Sequence, residues 1–217
     1  MQKLIILGNG PSLNLVDIKQ VMKFPTIGTN RILRKSLKGW EIVPDKLVLV
    51  DYNTLDQELS RIVEKRPALV VYESLYDQFL KRHKMLLKKL VPGVPLEVIR
   101  LTEKGTPQMV LDDVPFIMNH RNTGLYALEY TYRKFAGKGL VGLLGMEFFY
   151  PKGQPSHFFG DGKKCGTSPF FDVPISWLRS VKEQLSGDFQ VVTLSPLTGP
   201  LNSVLNFMSL DDFTAAG

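Results

Sequence analysis

The sequence predicts an α/β fold: a mostly parallel sheet with helices on both faces and a long lid loop. Two observations predict it. Short runs of consecutive bulky apolar residues, the mark of strands buried on both faces, recur along the 217 residues. Amphipathic segments long enough to act as crossover helices separate most of them, and such crossovers join parallel strands.

Residues 4–7, Leu-Ile-Ile-Leu, read as the first strand, four apolar residues running into a glycine turn. Asn14 and Asp17 resemble a capping pair that opens a short helix to Met22. Residues 25–29 form the second strand, ending near Asn30, and residues 47–50 the third, stopped at Asp51. A charged helical stretch covers residues 55–64, and Ala68–Tyr72 is the fourth strand. Leu75, Phe79, Leu86, Leu87 and Leu90 mark the apolar side of one long helix. Residues 96–101 are the fifth strand, and residues 102–120 have no clear period and read as loop. Residues 123–135 form a helix with Leu125, Leu128 and Tyr132 near one face. Residues 140–144 are apolar enough to predict a central strand. Residues 150–171, rich in Gly, Pro and aromatics, are the expected lid loop. A helix over 174–185 and a strand over 189–194 complete the pattern. With no repeat, linker or low-complexity tract, residues 1–217 are expected to form a single nucleotide-binding domain.

Hydrophobic residues make up 44% and charged residues 22%, which excludes a disordered chain, a collagen-like fibre and a coiled coil. Lys and Arg number 27 against 21 Asp and Glu, a net charge of +6. That excess suits an anionic ligand, a nucleic acid or a membrane surface and chooses none of them. The lone Cys165 removes any intramolecular disulfide or cysteine-cluster zinc site. No stretch approaches the roughly 20 apolar residues of a membrane helix, so a cytoplasmic protein without a membrane span is expected. Lys81, Arg82, Lys84, Lys88 and Lys89 sit with apolar partners at helical spacing. They read as a solvated face, and no nucleic-acid partner is expected. His83, His120 and His157 lack ligand spacing, so no metal residue is assigned.

Four motifs carry the chemistry. Gly8-Asn9-Gly10-Pro11-Ser12-Leu13 directly follows the first strand. The placement is that of a Rossmann-like nucleotide loop, whose glycines turn sharply and whose N–H groups face an anion. Leu13 stands where the dinucleotide fingerprint has its third glycine, and no Gly-Lys-Ser/Thr follows, so neither that fingerprint nor a P-loop is present. Asn30, Asp51 and Asn53 lie at the ends of the second and third strands, where they converge on a crevice or merely make turns. Asn122-Thr123-Gly124 opens a helix, as a cap or as a second anion contact. The loop over 150–171 holds Tyr150, His157 and Asp161, with His157 a candidate general base.

These residues resemble the bacterial single-domain sialyltransferases that extend lipooligosaccharide. The opening through Leu13 is similar to theirs, Asn30 matches an asparagine that binds the cytidine nucleotide, and Thr123-Gly124 resembles their Thr-Ser-Gly helix opening. Gly145-Met146-Glu147-Phe148-Phe149 resembles Gly-Ile-Asp-Phe-Tyr, and Ser195-Pro196 resembles a late Cys-Pro. Asp51 replaces another asparagine, with Asn53 two residues away. Phe149 stands at the first lid tyrosine, with Tyr150 beside it, and Asp161 stands at the catalytic histidine, while His157 matches a different one. The sequence is similar in the same features to the group containing archaeal hydroxymethylpterin diphosphokinase and related bacterial and phage proteins.

The first resemblance implies a glycosyltransferase-like enzyme that uses a nucleotide sugar, CMP-activated, and a hydroxyl acceptor, with no cofactor. It also raises the expectation of a homo-oligomer. Asp161 or His157 would take the acceptor proton and Tyr150 would stabilise the leaving phosphate. The nucleotide would lie on the loop N–H groups, Asn30 and Thr123. The second resemblance implies a magnesium-dependent phosphotransferase with Asp51, Glu147 and Asp161 facing the metal. A nucleotide-binding accessory protein without catalysis is the third reading.

Overall fold

A computed structural model of the protein describes residues 1–83, 86–99, 122–149, 155–160, 169–184 and 187–216. Seven strands form one sheet: β1 (Lys3–Leu7), β2 (Thr26–Thr29), β3 (Lys46–Leu49), β4 (Ala68–Tyr72), β5 (Leu96–Ile99), β6 (Gly139–Leu144) and β7 (Phe189–Thr193). Their order is β5-β4-β3-β2-β1-β6-β7, and every pairing is parallel. All seven strands lie where the apolar runs place them. The helices are α1 (Ile18–Val21), α2 (Tyr52–Lys65), α3 (Glu73–His83), α4 (Leu87–Leu90), α5 (Thr123–Lys134), α6 (Pro169–Gln184) and α7 (Leu210–Ala215).

The period-2 alternation of β1 divides the core between the two faces of the sheet. Ile5 and Leu7 pack with Leu55 and Ile62 of α2, Leu75 and Phe79 of α3, and Phe213 of α7. Leu4 and Ile6 pack with Leu125 and Leu128 of α5 and with Trp177, Leu178 and Val181 of α6. Helices therefore cover both faces, as the unbroken apolar strands require.

Three local expectations change. Asp17, not Asn14, caps α1: its carboxylate accepts from Lys19 N at 2.9 Å. Asn14 lies in a 3-10 turn, Pro11–Leu15, and its amide donates to the Phe158 carbonyl. The long helix over residues 75–90 is two helices, because Leu86 has an extended backbone and starts α4 afresh. Residues 169–171, expected in the lid loop, open α6, which runs on through Pro174, the residue expected to start it. Proline's fixed φ is helical, and the cost is one forgone backbone hydrogen bond together with crowding of the ring against the carbonyl four residues back. Residues 102–120 lie outside the described residues. Among the described residues no helix is long and apolar enough to cross a membrane. Lys81, Arg82, Lys88 and Lys89 are exposed, with the Arg82 guanidinium 4.8 Å from the centre of the Tyr52 ring.

Candidate functional site

In the strand order, β1 separates the arm that runs outward through β2 from the arm that runs through β6. Loops leaving such a switch point diverge and leave a crevice at the carboxyl ends of the strands. A pocket of about 360 Å³ lies there. The sequence motifs that meet in its walls are Gly8, Asn9 and Gly10 after β1, Asn30 after β2, Asn122, Thr123 and Gly124 at the start of α5, Gly145 and Glu147 after β6, and His157.

The loops after β1 and β6 are fastened to each other. Gly8 N donates to Leu144 O and Gly10 N to Gly145 O, both at 2.8 Å. A Cβ on Gly8 would overlap the Gly145 carbonyl, and one on Gly10 would overlap Glu147 Oε2. The glycines are thus demanded by packing between two loops. The Gly8 and Gly10 N–H groups, expected to face a phosphate, already have partners in the neighbouring loop.

The acidic group at this turn is the protein's own Glu147. Glu147 is buried at 4% exposure. Its carboxyl accepts from Ser195 Oγ at 3.1 Å, and Ser12 lies beside it as a second group that favours the charged form. Burial pushes the carboxyl above the ordinary carboxylate value, and these groups pull it back only in part. Ser12 Oγ also accepts from Gly145 N at 3.1 Å. Pro11, Ser12 and Ser195 therefore lie beneath the pocket and outside its lining, supporting the turn.

The opposite wall is a relay of amides and hydroxyls. Thr29 Oγ donates to Leu7 O at 3.0 Å, and Asn9 Nδ2 donates to Thr29 O at 3.1 Å. That carbonyl fixes which end of the Asn9 amide is nitrogen, so Oδ1 is the free end, and it is buried without a partner. Asn30 turns the chain at φ 51°, a left-handed conformation that asparagine tolerates well. Its Oδ1 accepts from Thr123 Oγ at 2.8 Å. Asn122 is the cap of α5, accepting from Leu125 N, so Thr123 is the first helical residue. The first N–H groups of α5 have no carbonyl within the helix to meet.

The lid contributes residues 155–160. Phe158 is fully buried and stacks on Trp40 with centroids 6.0 Å apart. Phe158 N donates to Asn9 O at 3.0 Å. This seats His157 in the pocket wall, its ring stacked on Phe159 at 5.0 Å and its Nδ1 3.0 Å from Ser156 Oγ.

Asp51 and Asn53 are not brought to the pocket. Asp51 is the exposed cap of α2, accepting from Thr54 N at 2.6 Å, and Asn53 is exposed in the first turn of that helix. Tyr150 and Asp161 lie outside the described residues. The sequence reading missed Arg31, which lines the pocket directly after Asn30. The signal was available, since the strand-end rule that selects Asn30 extends to the next residue. Among the described residues no three His, Cys, Asp or Glu side chains come together as metal ligands would.

With this geometry in place, comparison with solved structures is informative. The sialyltransferase CstII from Campylobacter jejuni, in complex with cytidine 5′-monophosphate, superposes with a TM-score of 0.60. The match covers 98% of this chain and 87% of that one at 14% identity. The fold is similar to that of a sialyltransferase. A second structure of that enzyme, with trisaccharide acceptor and CMP, gives a TM-score of 0.59 at 15% identity, covering 97% of this chain and 88% of that one. No family model matches the sequence, and no curated protein sequence matches it.

Proposed function

We propose that the protein is a glycosyltransferase-like enzyme that binds a nucleotide sugar of the CMP type in the switch-point pocket. The observation that carries the reading is the convergence of Asn9, Asn30 and the α5 N-terminus on one pocket. It is supported by a fold similar over 98% of the chain to an enzyme solved with CMP. The buried Asn9 Oδ1 would accept from a base amine or a ribose hydroxyl, groups that a cytidine nucleotide offers. The open N–H groups of α5 would face the phosphate.

His157, which lines the pocket, would take a proton from an acceptor hydroxyl as the sugar carbon is attacked. Asp161 is the other candidate for that step, and Tyr150 the candidate to steady the departing phosphate. The reading needs no cofactor and includes a hydroxyl acceptor. A homo-oligomeric assembly is proposed with it. The magnesium-dependent phosphotransferase gains nothing from the site. Asp51 is committed to capping α2, and Glu147 is bonded by Ser195.

A thermal-shift screen of CMP, CDP, CTP, UDP, GDP and ATP, with and without magnesium, tests the reading. CMP is expected to raise the midpoint in either condition. Ligand at a hundred times its Kd adds about 2.7 kcal/mol of stability. No response to any cytidine nucleotide at millimolar concentration would overturn the reading. A response confined to triphosphates with magnesium would move the assignment to phosphotransfer.

A further inference from the structure

We infer that Arg31 is the oxyanion-recognising residue of the pocket, binding a phosphate or carboxylate of the donor and so setting its preference for an anionic ligand. The inference rests on the nucleotide-sugar reading and adds to it a residue that neither the sequence motifs nor the resemblance marks.

Three observations carry it. First, Arg31 is the one fixed cation among the described residues that line the pocket; the other ionisable groups in the lining are Glu147 and His157. Second, its charge is unspent. Arg31 Nη2 donates to the neutral Gln57 Oε1 at 2.9 Å, and its Nε is buried with no partner. Among the described residues it makes no salt bridge. Arg34, one turn later, is the contrast: its Nε meets the buried Glu58 carboxylate at 2.8 Å. A buried guanidinium N–H left unpaired is costly, and an oxyanion removes that cost. Third, the position is rigid. Asn30 is held by Thr123, and Ile32, fully buried, anchors the next residue.

The loop after β1 strengthens the case from the other side. Its Gly8 and Gly10 N–H groups are consumed by the loop after β6. Glu147 also places its carboxyl beside Gly10, in the space next to that turn. The β2 side, where Arg31 stands, is the wall that carries the pocket's fixed cation.

Calorimetric titration of wild type, Arg31→Gln and Arg31→Lys with cytidine, CMP, CMP-sialic acid and inorganic pyrophosphate tests this. Unliganded melting midpoints report whether each variant is folded. If the oxyanion is the phosphate, R31Q weakens CMP about ten- to a hundredfold, the scale of a charge-assisted hydrogen bond, and leaves cytidine within twofold. If it is the sugar carboxylate, CMP is unchanged and CMP-sialic acid loses that factor. In both cases R31K recovers part of the loss. R31Q that binds CMP and CMP-sialic acid within twofold of wild type overturns the inference. So does an equal loss for cytidine, which marks a merely structural role. Wild type that binds no cytidine nucleotide sinks the nucleotide-sugar reading alone, and pyrophosphate then decides. A pyrophosphate response present in wild type and lost in R31Q keeps Arg31 as the anion site; a response equal in the two, or absent from both, overturns it.

Discussion

Gly10→Ala tests whether the turn after β1 is built around an internal carboxylate. The added Cβ would overlap Glu147 Oε2 and stand 2.9 Å from the Gly145 carbonyl. Neither neighbour is the loose end of an exposed side chain. Glu147 is buried and held by Ser195, and the Gly145 carbonyl by Gly10 N. Overpacking a site of this kind costs about 1–3 kcal/mol. Driving the carboxylate off its donors strands buried polar groups and adds about 1–3 kcal/mol. The sum is about 2–6 kcal/mol, and for a chain of this size each kcal/mol moves the melting midpoint by about 2–4 °C. Urea unfolding of wild type, Gly10→Ala, Glu147→Ala and the double variant measures it. Because the collision is with the carboxylate, truncating Glu147 is expected to relieve part of the Gly10→Ala loss, a coupling of at least about 1 kcal/mol. A Gly10→Ala protein within about 0.5 kcal/mol of wild type, the range of ordinary surface substitutions, would refute the reasoning. Strict additivity in the double variant would refute the assignment of the clash to Glu147.

Two further outcomes follow from the same structure. Glu129, buried on α5 beside Arg133, has its carboxyl raised to about 7, chiefly by burial, with the Arg133 charge opposing. A carboxyl raised on folding adds stability that is complete below its unfolded value of about 4.3 and is lost as pH climbs through about 7. Unfolding curves across pH 4–8 are therefore expected to show a downward contribution that Glu129→Gln removes, and an identical pH profile for both proteins would contradict it. At Asn30, glycine keeps the left-handed turn and loses only the bond from Thr123, whereas alanine loses both. Asn30→Gly should cost about 1 kcal/mol in urea unfolding, and Asn30→Ala about 1–2 kcal/mol more; equal losses would show that the φ of 51° carries no strain.

Strands were legible because burial on both faces writes itself as an unbroken apolar run: Leu4 to Leu7 and Leu140 to Leu144 need no context to be recognised. The pocket's position was legible for a related reason, since strand ends in a parallel sheet share one edge and the motifs fall on strand ends. What a residue does at that edge was not. Asp51 and Glu147 are both carboxylates after a strand, yet one caps a helix in solvent and the other is buried under a neighbouring turn. That difference is set by contacts across more than 100 positions, such as Ser12 with Gly145, which no local pattern encodes. The partnering of the Gly8 and Gly10 N–H groups was hidden for the same reason. Arg31 was within reach of the strand-end rule, but its lack of a carboxylate partner is a property of the assembled neighbourhood.

Phe158 gives the connection between β6 and α6 an intermediate mooring. The chain from Gly145 to Ser168 is 168 − 144 = 24 residues long. Phe158 is tied within it by its own N–H to Asn9 O, and its carbonyl accepts from both Asn14 Nδ2 and Leu37 N. One long closure thereby becomes two shorter ones, each with its own entropy of closing, and that entropy grows only slowly with length. Residues could be gained or lost on one side of the mooring without sliding the other side past the pocket. The span on either side is thus free to diverge in length and composition, while His157 keeps its register against Asn9.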